Sequence, residues 1–419
     1  MHPLLSQSGR YWPVFFAIAV PASAFGPAPM GIAMLLAVVF LLGQEHSRAF
    51  FQDSWTLAYR SPLGLAVLTL FACWLISSVD SLSFVKSIGT WIRMLFYLGI
   101  AFLAFRMFEN HAECAARYKI AALISSAIVL AYIALVLLGC SFLFTPIEML
   151  KGHELSAHNY FKAHGSTAVV VLPFLLWSGW TLGGRWRYLA GLNVVLTIVL
   201  VYGGGWELSL SGIAGAIGAF CAILFCLAVG SVKRPVGYVL WIAAALASIA
   251  IAWYVVSILP RPPYIDSTPD QVPFVDSHRE LIWSFVLEAQ KAVPFFGYGP
   301  NAVNYLPGAK TIIQTLNQEY VPSHPHNWMV ETLAETGWIG FLTLLACIAL
   351  HFRAAVRAIY IDKAAALTVV ACSGAFWVSG LVNFSFWTSW WQVAYLLAII
   401  APLAAIQRRK TLPDRQPAP

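Results

Sequence analysis

Residues 236–259 contain no charged side chain. A stretch of that kind has one common use. The apolar core of a bilayer is crossed by a helix of about 20 mostly apolar residues, because the backbone must satisfy its own hydrogen bonds there. Eleven further apolar segments accompany it, at 11–25, 27–42, 63–79, 88–105, 120–139, 165–182, 188–202, 210–229, 336–352, 364–384 and 390–406. Charged residues make up 10% of the chain and the mean hydropathy is +0.74, whereas a soluble domain carries about 25% charged residues. These values exclude a soluble enzyme, a disordered chain and a nucleic-acid binder. Unbroken apolar runs also exclude a membrane β-barrel, whose strands alternate polar and apolar residues. The expected fold class is an all-α polytopic membrane protein with about 12 transmembrane helices. The first two segments are short and carry Pro21, Pro27 and Pro29, so a re-entrant pair is an alternative to two full spans.

Basic residues orient such a chain, because Lys and Arg collect in cytoplasmic loops. With the N-terminus inside, 17 of the 25 Lys and Arg residues fall on the cytoplasmic side and 7 on the outer side. Arg93 alone falls within a span. Both termini are therefore expected in the cytoplasm. The divisions follow: 1–259 as helices 1 to 9, 260–335 as a large outer loop between helices 9 and 10, 336–406 as helices 10 to 12, and 407–419 as a cytoplasmic tail. Seven scattered cysteines give neither a disulfide framework nor a zinc motif, and small buried hydrophobes explain them. The N-terminal apolar run is read as a retained first helix, not a cleaved signal.

The large loop carries Trp283, Phe285, Phe295, Phe296, Tyr298, Tyr305, Tyr320 and Trp328, a composition that folds. Residues 277–291 read as a helix with Ser277 as N-cap and Glu280 three residues on. Ile282, Phe285, Val286 and Ala289 share one face, which fits a helix lying along a membrane surface. Turn residues follow, and then Pro322-Ser323-His324-Pro325-His326-Asn327 leads into a helix starting near Asn327. A histidine at that helix start is favoured in its neutral, proton-accepting form by the helix dipole. Spacing alone also allows His324 and His326 to be ordinary interfacial polar residues.

His326-Asn327, nine residues, then Gly337-Trp338-Ile339-Gly340 resembles the HN-x9-GxxG signature of the O-antigen ligase and polymerase family. Arg279 with Trp283, and the run from Pro294 to Pro300, resemble that family's large outer loop. The chain's length and modest second loop look more like the ligase branch. The resemblance implies a membrane glycosyltransferase of the GT-C type with a periplasmic active site in the bacterial inner membrane. It implies an undecaprenyl-diphosphate-linked polysaccharide donor and a lipid A–core oligosaccharide acceptor, with no cofactor. His326, as general base, and Arg279, expected to hold the diphosphate and stabilise the leaving group ahead of Lys86 and Arg93, are the leading functional residues on this basis. The family's Ser-Arg pair is missing at Ser209-Leu210-Ser211-Gly212: another cation takes its role, or this stretch is not the equivalent one. A ligase-associated Arg-x3-Leu pattern does occur at Arg185 to Leu189, but the expected topology puts Arg185 inside, as an anchor.

A lipid diphosphate needs cationic hydrogen-bond donors wherever it binds. Lys86 and Arg93 are seven residues apart, so they share a helix face, and an Arg within a span is a functional-site hypothesis. Snorkelling, or an ion pair with Glu207, is the alternative for Arg93. Asn327 and His324 are candidate supports. Asp266, Asp270 and Asp276 have no standard metal-cage spacing and read as solvated carboxylates. Zinc on His153, His158 and His164 is a minor alternative, and the reaction is expected to be metal-independent. Two other functions stay open: an O-antigen polymerase, and a secondary transporter or flippase, the last disfavoured by the absence of an internal repeat.

Overall fold

The structure, a computed structural model, describes residues 11–43, 60–202, 209–260, 276–313 and 316–411. Each of the twelve apolar segments lies on a helix. In chain order these are α1 Trp12–Ala22, α2 Pro27–Leu42, α3 Pro62–Val79, α4 Phe84–Asn110 and α5 Ala112–Leu137. After a short helix α6, Thr145–Lys151, come α7 Ala157–Leu182, α8 Arg185–Tyr202, α9 Leu210–Ser231 and α10 Arg234–Ile258. Helix α11, Ser277–Gln290, belongs to the large loop, and α12 Trp328–Ala358, α13 Lys363–Ser379 and α14 Ser389–Thr411 complete the chain. Eight of them, α3, α4, α5, α7, α9, α10, α12 and α14, are long and apolar enough to cross a membrane. The chain is thus a multi-pass helical membrane protein.

Helices α1 and α2 form a short hairpin turned at Gly26, whose φ of 115° suits glycine. Eleven residues of α1 rise about 17 Å, well short of a bilayer core of about 30 Å. Helices α9 and α13 cross with their backbones in contact. A Cβ on Gly218 would come within 2.4 Å of the Gly374 carbonyl oxygen, the close approach that small residues allow between apolar helices.

Two ends of the bundle differ. At one end, the loop end, the termini of α3, α4, α12, α13 and α14 meet the segment 276–327. That segment has its own small core: Ile282 and Val286 of α11 pack with Val303, Leu306, Val321 and Ala334. The apolar face of α11 is therefore covered by protein, which corrects the reading of a helix laid on a membrane surface. The cap differs as well. Asp276, not Ser277, is the N-cap, its Oδ1 accepting from the amides of His278 and Arg279 at 2.9 and 3.4 Å. A carboxylate read as solvated thus fixes the start of the helix that carries Arg279.

The break in α12 gives the glycine signature its physical meaning. Gly337 has φ 62° and ψ −175°, so the helix is interrupted there. The run Pro294–Pro300 lies in the interruption. Amides of Trp338 and Ile339 donate to the carbonyls of Pro294 and Phe295, and amides of Tyr298 and Gly299 donate to those of Ala334 and Glu335. Four of the backbone groups at the break are thereby re-paired. A Cβ at Gly337 would sit 2.2 Å from the Phe295 backbone, so only glycine fits.

Candidate functional site

Asn327 caps α12, its Oδ1 accepting from the amides of Met329 and Val330 at 2.9 and 3.3 Å. Cap formation fixes the chain direction just before the helix, where His326 adopts φ 57°. That left-handed conformation is costly for a residue with a side chain and marks a position held by its surroundings. The restraints are visible. Trp283 Nε1 donates to the Pro325 carbonyl at 2.7 Å, and Lys310 Nζ donates to the carbonyls of Val321 and Pro322 at 3.3 and 2.6 Å. The Trp328 amide donates to Gly380 at 3.1 Å. Trp283 and Trp328 are buried and serve as structural ties, and Tyr298 bonds the Ala289 carbonyl. Tyr305, by contrast, is exposed.

The imidazoles of His324 and His326 lie side by side, ring centroids 4.2 Å apart. Burial pushes His326 down to about 4, and the Arg279 guanidinium adds to that effect. Burial pushes His324 down to about 3, followed by the influence of His326 and Arg279. Both rings are therefore neutral near pH 7 and able to accept a proton. Burial rather than the helix dipole is the leading cause. His324 Nδ1 is 2.8 Å from the Ser323 hydroxyl, while its Nε2 is buried with no hydrogen-bond partner.

A cavity of about 340 Å³ opens beside this pair. Lys86 and Arg93, Asn301 and Asn304, His324, and the turn Ser385 to Ser389 supply its wall. Lys86 and Arg93 sit on α4, two turns apart on one face, as their spacing required. Lys86 Nζ donates to Asn304 Oδ1 at 3.0 Å and rests 4.8 Å from the Tyr305 ring centroid. Arg93 Nη2 donates to the Trp387 carbonyl at 3.0 Å, and its Nε is buried without a partner. Glu207, the alternative partner of Arg93, lies outside the described residues, as do Asp266 and Asp270. Arg279, expected to hold the diphosphate, has its Nη1 3.3 Å from the Val382 carbonyl and does not line the cavity. His326 is half-buried next to His324 and does not line the cavity either. The expected cations and imidazoles thus meet at one end of the bundle, with Arg279 facing the histidines instead of the cavity.

Two carboxylates missing from the sequence reading organise this wall. Glu331 and Glu335, one turn apart on α12, are each 1% exposed. Glu335 accepts from the amides of Asn301, Ala302 and Val303 at 2.7, 2.7 and 3.0 Å, and also from Trp387 Nε1. Glu331 accepts from the Ser385 hydroxyl at 2.6 Å and the Phe386 amide at 2.7 Å. Through them one helix holds both loops that carry Asn301, Asn304, Ser385 and Trp387 around the cavity. A signal was available: acidic residues four apart opening an apolar helix meet the same rule that singled out Arg93.

Among the described residues, no three His, Cys, Asp or Glu side chains are placed to share a metal ion. His153 bonds the Lys151 carbonyl and His164 is buried on α7 beside Ser23, so the zinc alternative has no support there. Ser209 is the N-cap of α9, accepting from the Gly212 amide at 3.2 Å, and Ser211 meets Ser166 at 2.6 Å. The serines where the family's Ser-Arg pair was sought thus act in helix capping and packing.

A family model described as O-antigen ligase matches residues 204–345, from before α9 to beyond the break in α12. A curated protein of Rickettsia conorii named "putative polysaccharide ligase" is 27% identical over 118 residues, 27% of this chain and 28% of that protein. Its counterpart from Rickettsia typhi is 26% identical over 127 residues, 30% of this chain and 31% of its own length. The chain thus matches less than a third of the length of these relatives.

Proposed function

We propose, taking as premise that the chain belongs to the O-antigen ligase family through residues 204–345, that it is a metal-independent, inverting glycosyltransferase. It moves polysaccharide from undecaprenyl diphosphate to a sugar hydroxyl of lipid A–core, at the periplasmic face of the inner membrane, with both termini in the cytoplasm. The observation that carries this reading is the meeting of Lys86 and Arg93 with His324 in one cavity, with His326 next to His324 and Arg279 close enough to influence both rings.

Lys86 and Arg93 receive the diphosphate. Fixed cations in a partly dry cavity are already oriented toward the charge that grows on the leaving oxygen, so they stabilise departure without reorganising. The acceptor hydroxyl gives its proton to the neutral imidazole pair, in which His326 is the histidine of the motif and His324 is the ring on the cavity wall. The hydroxyl oxygen bonds to the anomeric carbon as the carbon–phosphate oxygen bond breaks, which inverts the configuration. Arg279 adds its charge to the burial that keeps both rings unprotonated, and steadies the 379–383 turn through Val382.

Transfer from purified donor to purified acceptor tests the reading. His326→Ala and His324→Ala should each lower turnover by about 10²- to 10⁴-fold, the usual worth of a positioned base. Full activity in both variants would remove the imidazoles from the mechanism. The polymerase alternative makes a separate prediction, extension of a second lipid-diphosphate-linked chain in preference to lipid A–core.

A further inference from the structure

A second cavity, of about 220 Å³ and walled by more apolar than polar surface, lies on the other side of the first turn of α14. Ser389 borders the first cavity and its neighbour Trp390 borders the second. Rings connect the two: Phe384 is 6.4 Å from His324 and 5.0 Å from Trp390, centroid to centroid. A group bound in the second cavity is therefore two aromatic side chains, Trp390 and Phe384, away from the imidazole pair.

The wall differs chemically from the first. Its polar groups are the hydroxyls of Ser23, Tyr160 and Thr167, the imidazole of His164 and the ammonium of Lys151; Trp390 and Tyr160 add ring faces. It holds one cation against two, and no carboxylate. His164 is 6% exposed, with Nδ1 3.3 Å from Ser23 Oγ. An imidazole carried into a helix bundle costs free energy unless it is used. Hydroxyl and imidazole groups interspersed with ring faces match the alternating hydroxyls and C–H faces of a saccharide; a single ammonium suits an acidic substituent and does not suit a diphosphate.

We propose that this second cavity holds the saccharide end of the glycolipid acceptor, so that donor and acceptor approach the histidines from opposite sides of the α14 start. The assignment rests on the transferase reading above. The full-length protein in lipid nanodiscs tests it, with lipid A–core as acceptor and undecaprenyl-diphosphate-linked polysaccharide as donor. Lys151→Ala, at an exposed position, and His164→Asn should each raise the acceptor KM about tenfold, the effect of one charge-assisted hydrogen bond, and leave the donor KM within about twofold. Binding of lipid A–core without donor should weaken by the same factor. Unchanged acceptor binding in both variants, or an equal rise in both KM values, would overturn the assignment. Wild-type protein that binds lipid A–core but transfers nothing would instead overturn the transferase reading alone.

Discussion

The two ends of the bundle carry the same residue types in opposite circumstances. At the basic end Arg409 is 3.0 Å from Asp362, Arg106 pairs with Glu109, and Arg408 bonds the carbonyls of Phe108 and Glu109. These charges lie on helix termini and find partners within a turn or across one interface. At the loop end the acids are 1% exposed and face inward, a histidine holds a positive φ, and Arg93 Nε and His324 Nε2 are buried without partners. Most polar groups at the first end are paired over short distances, although Arg106 Nε is buried without a partner there too. Those at the second are held by an over-determined framework, with some bonding capacity left for something else. Backbone strain and buried carboxylates, more than charge, separate the loop end from an anchoring one.

The contrast is broken most severely by Gly337→Ala. The new methyl group meets the Phe295 backbone at 2.2 Å, in a conformation side chains avoid, so the run Pro294–Pro300 must leave the break in α12. Destabilisation of about 3 kcal/mol or more is expected, together with loss of transfer, read by thermal unfolding in detergent and by assay. A variant that melts like the parent would mean the interruption is not needed. Glu335→Ala comes next. Three amides and the Trp387 indole lose their acceptor inside the protein, at about 1–3 kcal/mol for each buried donor left unpaired. Asn301 and Trp387 then shift, so the donor KM should rise even in the fraction that folds. Glu335→Gln, which keeps an acceptor oxygen, should recover part of the loss.

Protonation gives a gentler probe. His326 is pushed down to about 4 from an ordinary value of 6.5. A depressed histidine is neutral over most of the working range, so kcat/KM should be flat from about pH 8 to 5 and fall as pH drops through 4. Stability follows the same sign. The unfolded chain takes up the proton first, so this contribution is complete above pH 6.5 and is lost as pH falls from 6.5 toward 4. A rate profile that bends near 6.5 would show the imidazole exposed during turnover.

These expectations divide along the line between local and distant information. The helices were legible, because twelve apolar segments state their own lengths and Asn327 and Gly337 carry recognisable roles. Lys86 and Arg93 were legible as a pair because a helix places residues seven apart on one face. What sequence could not convey was pairing across hundreds of positions: that Glu335 closes on Asn301 and Trp387, or that His324, not His326, reaches the cavity wall. Asp276 was misread for a local reason, since Asp and Ser both cap helices and only geometry chooses between adjacent candidates.

The smallest effect belongs to the basic end. Arg409 is 67% exposed, so Arg409→Ala should cost less than about 1 kcal/mol and leave transfer untouched. Its partner behaves differently. Asp362 is buried and its Oδ1 caps α13 by accepting from the Ala365 amide at 3.0 Å. Asp362→Ala should therefore cost about 1 kcal/mol more than Arg409→Ala, the worth of a cap and not of an ion pair. Equal losses in the two variants would show that the salt bridge carries the stability, and would erase the distinction between an end held by helix capping and one held by buried charge.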